Sequence, residues 1–166
     1  MKRLSVIVAV ILIFSTVLAA CGGAPADPVG AVQGMFQALT NKQMDQVPNF
    51  VCAAQRDAVV AQFNPAGSLG AGVDPKAALD AMTIALKDAT YTKTSETGDK
   101  AVVHMKGTMT IAFDQAKMTA LLKATGQDDA TISQSLGFVA AMFAAGLPID
   151  NDVNLIKENG KWVVCQ

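Results

Sequence analysis

The stretch VNLIKENGKWVVC, residues 153–165, carries the strongest folding signal in the chain. Two runs of strand-forming residues, Val153 to Glu158 and Lys161 to Cys165, bracket Asn159-Gly160. In a two-residue loop Asn-Gly accepts the positive φ angles that match the twist of paired strands, so this segment predicts a β-hairpin. A second alternating region lies upstream. Thr90 to Ser95 and Ala101 to Phe113 flank Thr97-Gly98-Asp99-Lys100, which has the composition of a hairpin turn. In the longer run Val103, Met105, Met109, Ile111 and Phe113 share one face, while His104, Lys106, Thr108 and Thr110 share the other. Side chains alternate across a strand, so one face is core and the other is wet.

Ahead of these runs the period is helical. Asp27-Pro28 is a cap followed by proline at the first helical position, and Val29, Val32, Met35, Phe36 and Leu39 recur at helical spacing, which predicts a helix over 28–40. Asn41 and Lys42 break it. A second helical stretch runs through Met44, Val47 and Phe50, and Pro48 either turns the chain or opens a third helix with Val51, Ala54, Val59 and Phe63. Residues 64–73 are rich in Gly and Ala and read as a loop. Asp74-Pro75 repeats the cap and proline, predicting a helix over 75–86 with Leu79, Met82 and Leu86 inward.

Between the hairpins, residues 115–124 predict a short helix, 126–129 a polar loop, and 131–147 a longer helix. Residues 136–147 carry no charge. That is short for a bilayer span of about 20 residues and suits a buried or interfacial helix. The fold class expected is α+β: N-terminal helices packed on a curved antiparallel sheet, with an additional apolar helical insertion near 115–147.

The first residues have a different logic. Met1-Lys2-Arg3 is a positive start, Leu4 to Leu18 is almost wholly apolar, and small Ala19 and Ala20 follow, which is the layout of a secretory signal peptide. The junction Leu18-Ala19-Ala20-Cys21 resembles the lipobox of bacterial lipoproteins, in which a diacylglyceryl group is joined to the cysteine before cleavage. The resemblance implies residues 1–20 as leader, 21–26 as a lipidated tether and 27–166 as one domain, held at the extracytoplasmic face of the cell membrane or outer membrane. Cys52 and Cys165 then remain as an even pair in an exported protein, and a disulfide is the natural reading.

Composition bounds the function. The formal net charge of −1 becomes −3 once Lys2 and Arg3 leave, and Arg56 is the only arginine after the leader. Such a chain lacks the basic footprint of nucleic-acid binding and has at most one residue for a bidentate phosphate clamp. His104, the single histidine, falls on the wet face with no carboxylate partner indicated by the pattern. Asp114 and the Asp128-Asp129 pair read as a helix cap and a solvated turn, because they lack the alternating oxygen ligands of a Ca²⁺ loop. No catalytic set, no metal site and no cofactor is expected.

The helix phrase Phe36-Gln37-Ala38-Leu39-Thr40-Asn41-Lys42 with Met44-Asp45, together with the closing hairpin and its Gly160-Lys161-Trp162, resembles the nuclear transport factor two-like superfamily. The resemblance implies an α+β cone, with helices in the concavity of a curved sheet and a pocket at its open end. It also implies pairing into homodimers through the sheet as an open alternative. The segment 115–147 has no counterpart in that minimal fold.

An apolar pocket, if the chain builds one, draws on Met105, Met109, Phe113, Met118, Ile132, Leu136, Val139, Met142, Phe143 and Trp162, since methionine lines adaptable sites. The alternative is that these side chains fill an ordinary core. Three functions stay open at this point: a membrane-tethered, non-catalytic module that binds an envelope protein or hydrophobic small molecule; a carrier or sensor of a lipid-like ligand; and a small pocket enzyme of isomerase or hydrolase type.

Overall fold

Carboxylates start the helices of this chain. In the computed structural model, which describes residues 26–62 and 74–165, Asp27 caps α1 (Pro28–Thr40) by accepting the Gly30 N–H at 2.8 Å. A 3₁₀ turn, Val47–Phe50, leads to α2 (Ala53–Gln62), whose first amide donates to the Glu158 carboxylate from far along the chain, at 3.1 and 3.3 Å. Asp74 caps α3 (Pro75–Asp80), Asp114 caps α4 (Gln115–Ala124) and Asp128 caps α5 (Asp129–Phe143). Each cap satisfies amides that a helix leaves unpaired at its start.

The strands are β1 (Met82–Thr97), β2 (Lys100–Phe113), β3 (Leu147–Glu158) and β4 (Lys161–Val164). They form one curled antiparallel sheet in sequence order. Asn159 and Gly160 join β3 to β4 with φ of 52° and 78°, as the Asn-Gly signal predicts. The architecture is the expected α+β, with helices packed on a curled antiparallel sheet.

α1 lies across one face of that sheet. Ala31 and Val32 bury against Ala101, Val103 and Met105 of β2, Val153 and Leu155 of β3, and Trp162 and Val164 of β4. A second cluster joins Ala38 of α1 to Val47, Phe50, Cys52 and Val163. Val51 bridges to Val164 in parallel, and the Cys52 N–H donates to the Val164 carbonyl at 2.9 Å, so this segment covers the free edge of β4. Cys52 and Cys165 are bonded there, with Cα atoms 5.3 Å apart.

Several expectations need correction. The helix over 75–86 stops at Asp80, and Met82 and Leu86 lie in β1 instead. The i, i+4 spacing of those two residues imitated a helix, but Met82, Ile84 and Leu86 alternate on a strand opposite Phe113, Ile111 and Met109. An extra residue between Lys87 and Thr90, where Asp88 has φ 52°, then flips the parity so that Tyr91 returns to the same face as Leu86. Such a bulge conceals a strand from a period-two reading and bends it.

The helix over 131–147 ends at Phe143. Gly146, at φ +74°, reverses the chain, and Leu147 opens β3, which begins six residues before the expected Val153. The place has no room for a side chain, since a Cβ on Gly146 would lie 2.7 Å from Thr108 Cγ2. The helical stretch through Met44, Val47 and Phe50 is a turn followed by the 3₁₀ turn. Val51 belongs to the bridge with β4 rather than to a helix. The leader, Cys21, the tether as far as Pro25, Phe63 and the loop 64–73 lie outside the described residues.

Candidate functional site

The parity flip in β1 places Leu86 and Tyr91 on the same face beneath α1. From above, Gln33, Phe36, Gln37 and Thr40, one or two turns apart on the helix, complete an open groove of about 330 Å³. That is near the lower end of ligand-pocket volumes, about 300–1,000 Å³. Its walls are Phe36, Leu86 and Tyr91, and its rim carries two amides and a hydroxyl. No charged side chain lines it. Burial raises the Tyr91 hydroxyl above the usual tyrosine range, so it is a neutral hydrogen-bond donor. The groove therefore suits an uncharged, partly apolar ligand. Of its lining residues, sequence periodicity singled out only Phe36 and Leu86 as inward, and it placed Leu86 on a helix.

The ten residues expected around an apolar pocket occupy three environments. Met105 and Trp162 are fully buried in the main core beneath α1. Met118 of α4 and Ile132 of α5 are buried, and Met109, Phe113, Leu136, Val139 and Phe143 are half-buried, with the Phe113 and Phe143 rings 6.1 Å apart. Met142 is 54% exposed on the outside of α5.

On the opposite face of the sheet His104 acquires partners that the strand pattern did not reveal. Its Nδ1 lies 2.9 Å from Asp152 Oδ1, and its Nε2 lies 3.1 Å from Asp150 Oδ1. Lys106 Nζ adds a contact of 3.5 Å to Asp150. The cause is register: His104 faces Asp152 and Lys106 faces Asp150 across β2 and β3. These aspartates were hidden because residues 147–152 did not read as strand. A carboxylate beside an imidazole is what a general base requires, and here one lies against each ring nitrogen, on an exposed face of the sheet away from the groove. Among the described residues, no group of three or more His, Cys, Asp and Glu side chains could hold a metal ion.

Other candidate groups serve the fold. Arg56 donates through Nε to the Pro48 carbonyl at 3.1 Å and through Nη2 to the Val51 carbonyl at 3.3 Å, closing the 3₁₀ turn. Asp114 and Asp128 are helix caps. Backbone and side-chain hydrogen bonds from Lys117 and Thr131, respectively, hold their carboxyls below the usual aspartate range. Asp129 pairs with Lys123 at 2.7 Å.

No protein-family model matches this chain, and no curated protein matches it in sequence. Among solved structures it is similar to the solution structure of a SEC-C motif containing protein from Rhodopseudomonas palustris, at 12% identity and a TM-score of 0.41, over 85% of this chain and 77% of that one.

Proposed function

We propose that this protein is an extracytoplasmic lipoprotein, anchored through Cys21, whose domain acts by binding rather than by catalysis. The observation that carries the binding half is the uncharged groove between α1 and β1, with aromatic and aliphatic walls and a rim of neutral hydrogen-bonding groups. The placing of His104, the single histidine, on the exposed face and outside the groove supports a non-catalytic reading. The anchor half rests on the Leu18-Ala19-Ala20-Cys21 junction and the leader before it. The helices on a curled sheet are compatible with the nuclear transport factor two-like resemblance. The ligand class that fits is an uncharged, partly apolar small molecule, or a neutral segment of an envelope protein.

The test is native mass spectrometry of the exported chain, followed by organic extraction. A bound neutral compound that is lost in Tyr91→Ala and Leu86→Ala variants supports the groove; a compound retained equally by both variants removes it. Metabolic labelling with radioactive fatty acid tests the anchor, and label at wild-type level in Cys21→Ser would sink that half alone.

A further inference from the structure

α5 has two unlike sides. Ile132 is buried and Leu136, Val139, Ala140 and Phe143 are half-buried, with Phe143 against Phe113 of β2. On the outward side Phe138 is 71% exposed and Met142, one turn later, is 54% exposed, with exposed Ala141 and Ala145 alongside. From Leu136 to Ile149 the chain carries no charged side chain, whereas about a quarter of the residues in an ordinary soluble domain are charged. Large apolar side chains exposed together on an uncharged segment mark a contact site.

The chain ahead of the domain indicates what the contact is. Only Gly22, Gly23, Ala24 and Pro25 separate Cys21 from Ala26, the first described residue. The tether to Asp27 reaches about 20 Å, and a domain of this size has a radius of gyration of about 14 Å. A tether of that length keeps the lipid surface within reach of the sides of the domain. The net charge of −3 left by removal of Lys2 and Arg3 gives no attraction to anionic headgroups, so the contact must be apolar, as this face is. No helix among the described residues is long and apolar enough to cross a membrane. α5 would therefore lie along the interface, as amphipathic helices do.

We propose that the Phe138–Met142 face of α5 inserts into the headgroup–acyl boundary of the membrane that holds the chain, fixing the domain in one orientation. The proposal rests on the reading that Cys21 carries lipid, and its test separates the two. The full chain carrying Met142→Cys, or Ser95→Cys on the far part of β1 as control, is labelled with a polarity-sensitive fluorophore. Each is mixed with phosphatidylcholine vesicles whose acyl chains carry bromine, and flotation of the unlabelled Phe138→Ser chain, compared with the same chain also carrying Cys21→Ser, reports the anchor independently.

The expected result is a blue shift and roughly a twofold loss of emission at position 142, little change at position 95, and a weaker effect at 142 when Phe138→Ser is added. The same result with a chain that does not float through Cys21 supports the face and removes the anchor. A floating chain whose probe at 142 is unquenched overturns the face and leaves the anchor. Absence of both flotation and quenching overturns both. A blue shift at 142 that grows with protein concentration and is indifferent to bromine assigns the face to a second copy of the chain, and also overturns the proposal.

Discussion

A Cβ built on Gly34 would lie 2.5 Å from Cε1 of Phe50 and 2.9 Å from its Cζ. The Phe50 ring is 9% exposed and packs with Ala38, Val47, Cys52 and Val163, so it has little space in which to retreat. Gly34 therefore marks a close approach of α1 to the 3₁₀ turn, in the middle of a helix where glycine would otherwise be unfavourable.

Gly34→Ala sets two effects against each other. Helix propensity favours alanine by about 1 kcal/mol, while overpacking a filled core costs about 1–3 kcal/mol. The clash wins. The variant is expected to unfold at lower urea than the wild type, and a midpoint at or above wild type would show that Phe50 can move aside.

The disulfide joins residues 113 apart in sequence. For a loop of that length the chain-entropy account gives about 4–5 kcal/mol, and removing native disulfides from secreted domains costs about 2–5 kcal/mol. Cys52→Ala with Cys165→Ala should lower the denaturation midpoint by a corresponding amount, and reductant should do the same to the wild type but nothing further to the variant. The backbone bonds from Cys52 to Val164 and from Cys165 to Asn154, each 2.9 Å, should keep the hairpin edge native-like in the variant, visible as retained amide protection.

The His104–Asp152 contact is short but lies on an open face, with the side chains 37% and 63% exposed. Exposed pairs contribute about 0.2–1 kcal/mol. A double-mutant cycle with His104→Ala and Asp152→Ala at fixed pH should give a coupling in that range, shrinking with added salt. A coupling several times larger would mean that this cluster organises the sheet far more than its exposure implies.

Acid should loosen the start of α5. The Thr131 backbone N–H, first, and its hydroxyl hold the Asp128 carboxyl below the usual aspartate value of 3.8. A depressed carboxyl contributes stability that is fully present above the unfolded value and is lost as pH falls through the folded one. The Ala130 and Thr131 amide signals should therefore titrate below pH 3.8, with faster exchange at the acid end. In Asp128→Ala the exchange should be fast throughout, with that titration gone. Asp114 at the start of α4 follows the same sign.

What could be read from residues alone was local. The hairpin at Asn159-Gly160, α1 after Asp27-Pro28 and α4 at 115–124 depend on short-range dihedral and capping preferences, which the neighbouring residues largely determine. The pairing of Cys52 with Cys165 followed from counting cysteines in a chain whose first residues read as a leader for export. What required the tertiary structure involved positions whose meaning lies across the sheet. The first half of β1, Met82 to Ala89, was hidden because the bulge at Asp88 reverses the alternation, and a bulge is decided by the partner strand. The early start of β3 was hidden because Leu147, Pro148 and Ile149 extend the uncharged run of the preceding helix, and only the turn at Gly146, packed against Thr108, separates the two. Both bear on the candidate sites: without the first half of β1 there is no Leu86 beside Tyr91 in the wall of the groove, and without the first half of β3 there are no carboxylates opposite His104. Sequence spacing reports which face a residue takes within its own element, whereas the residue across the sheet is chosen by register.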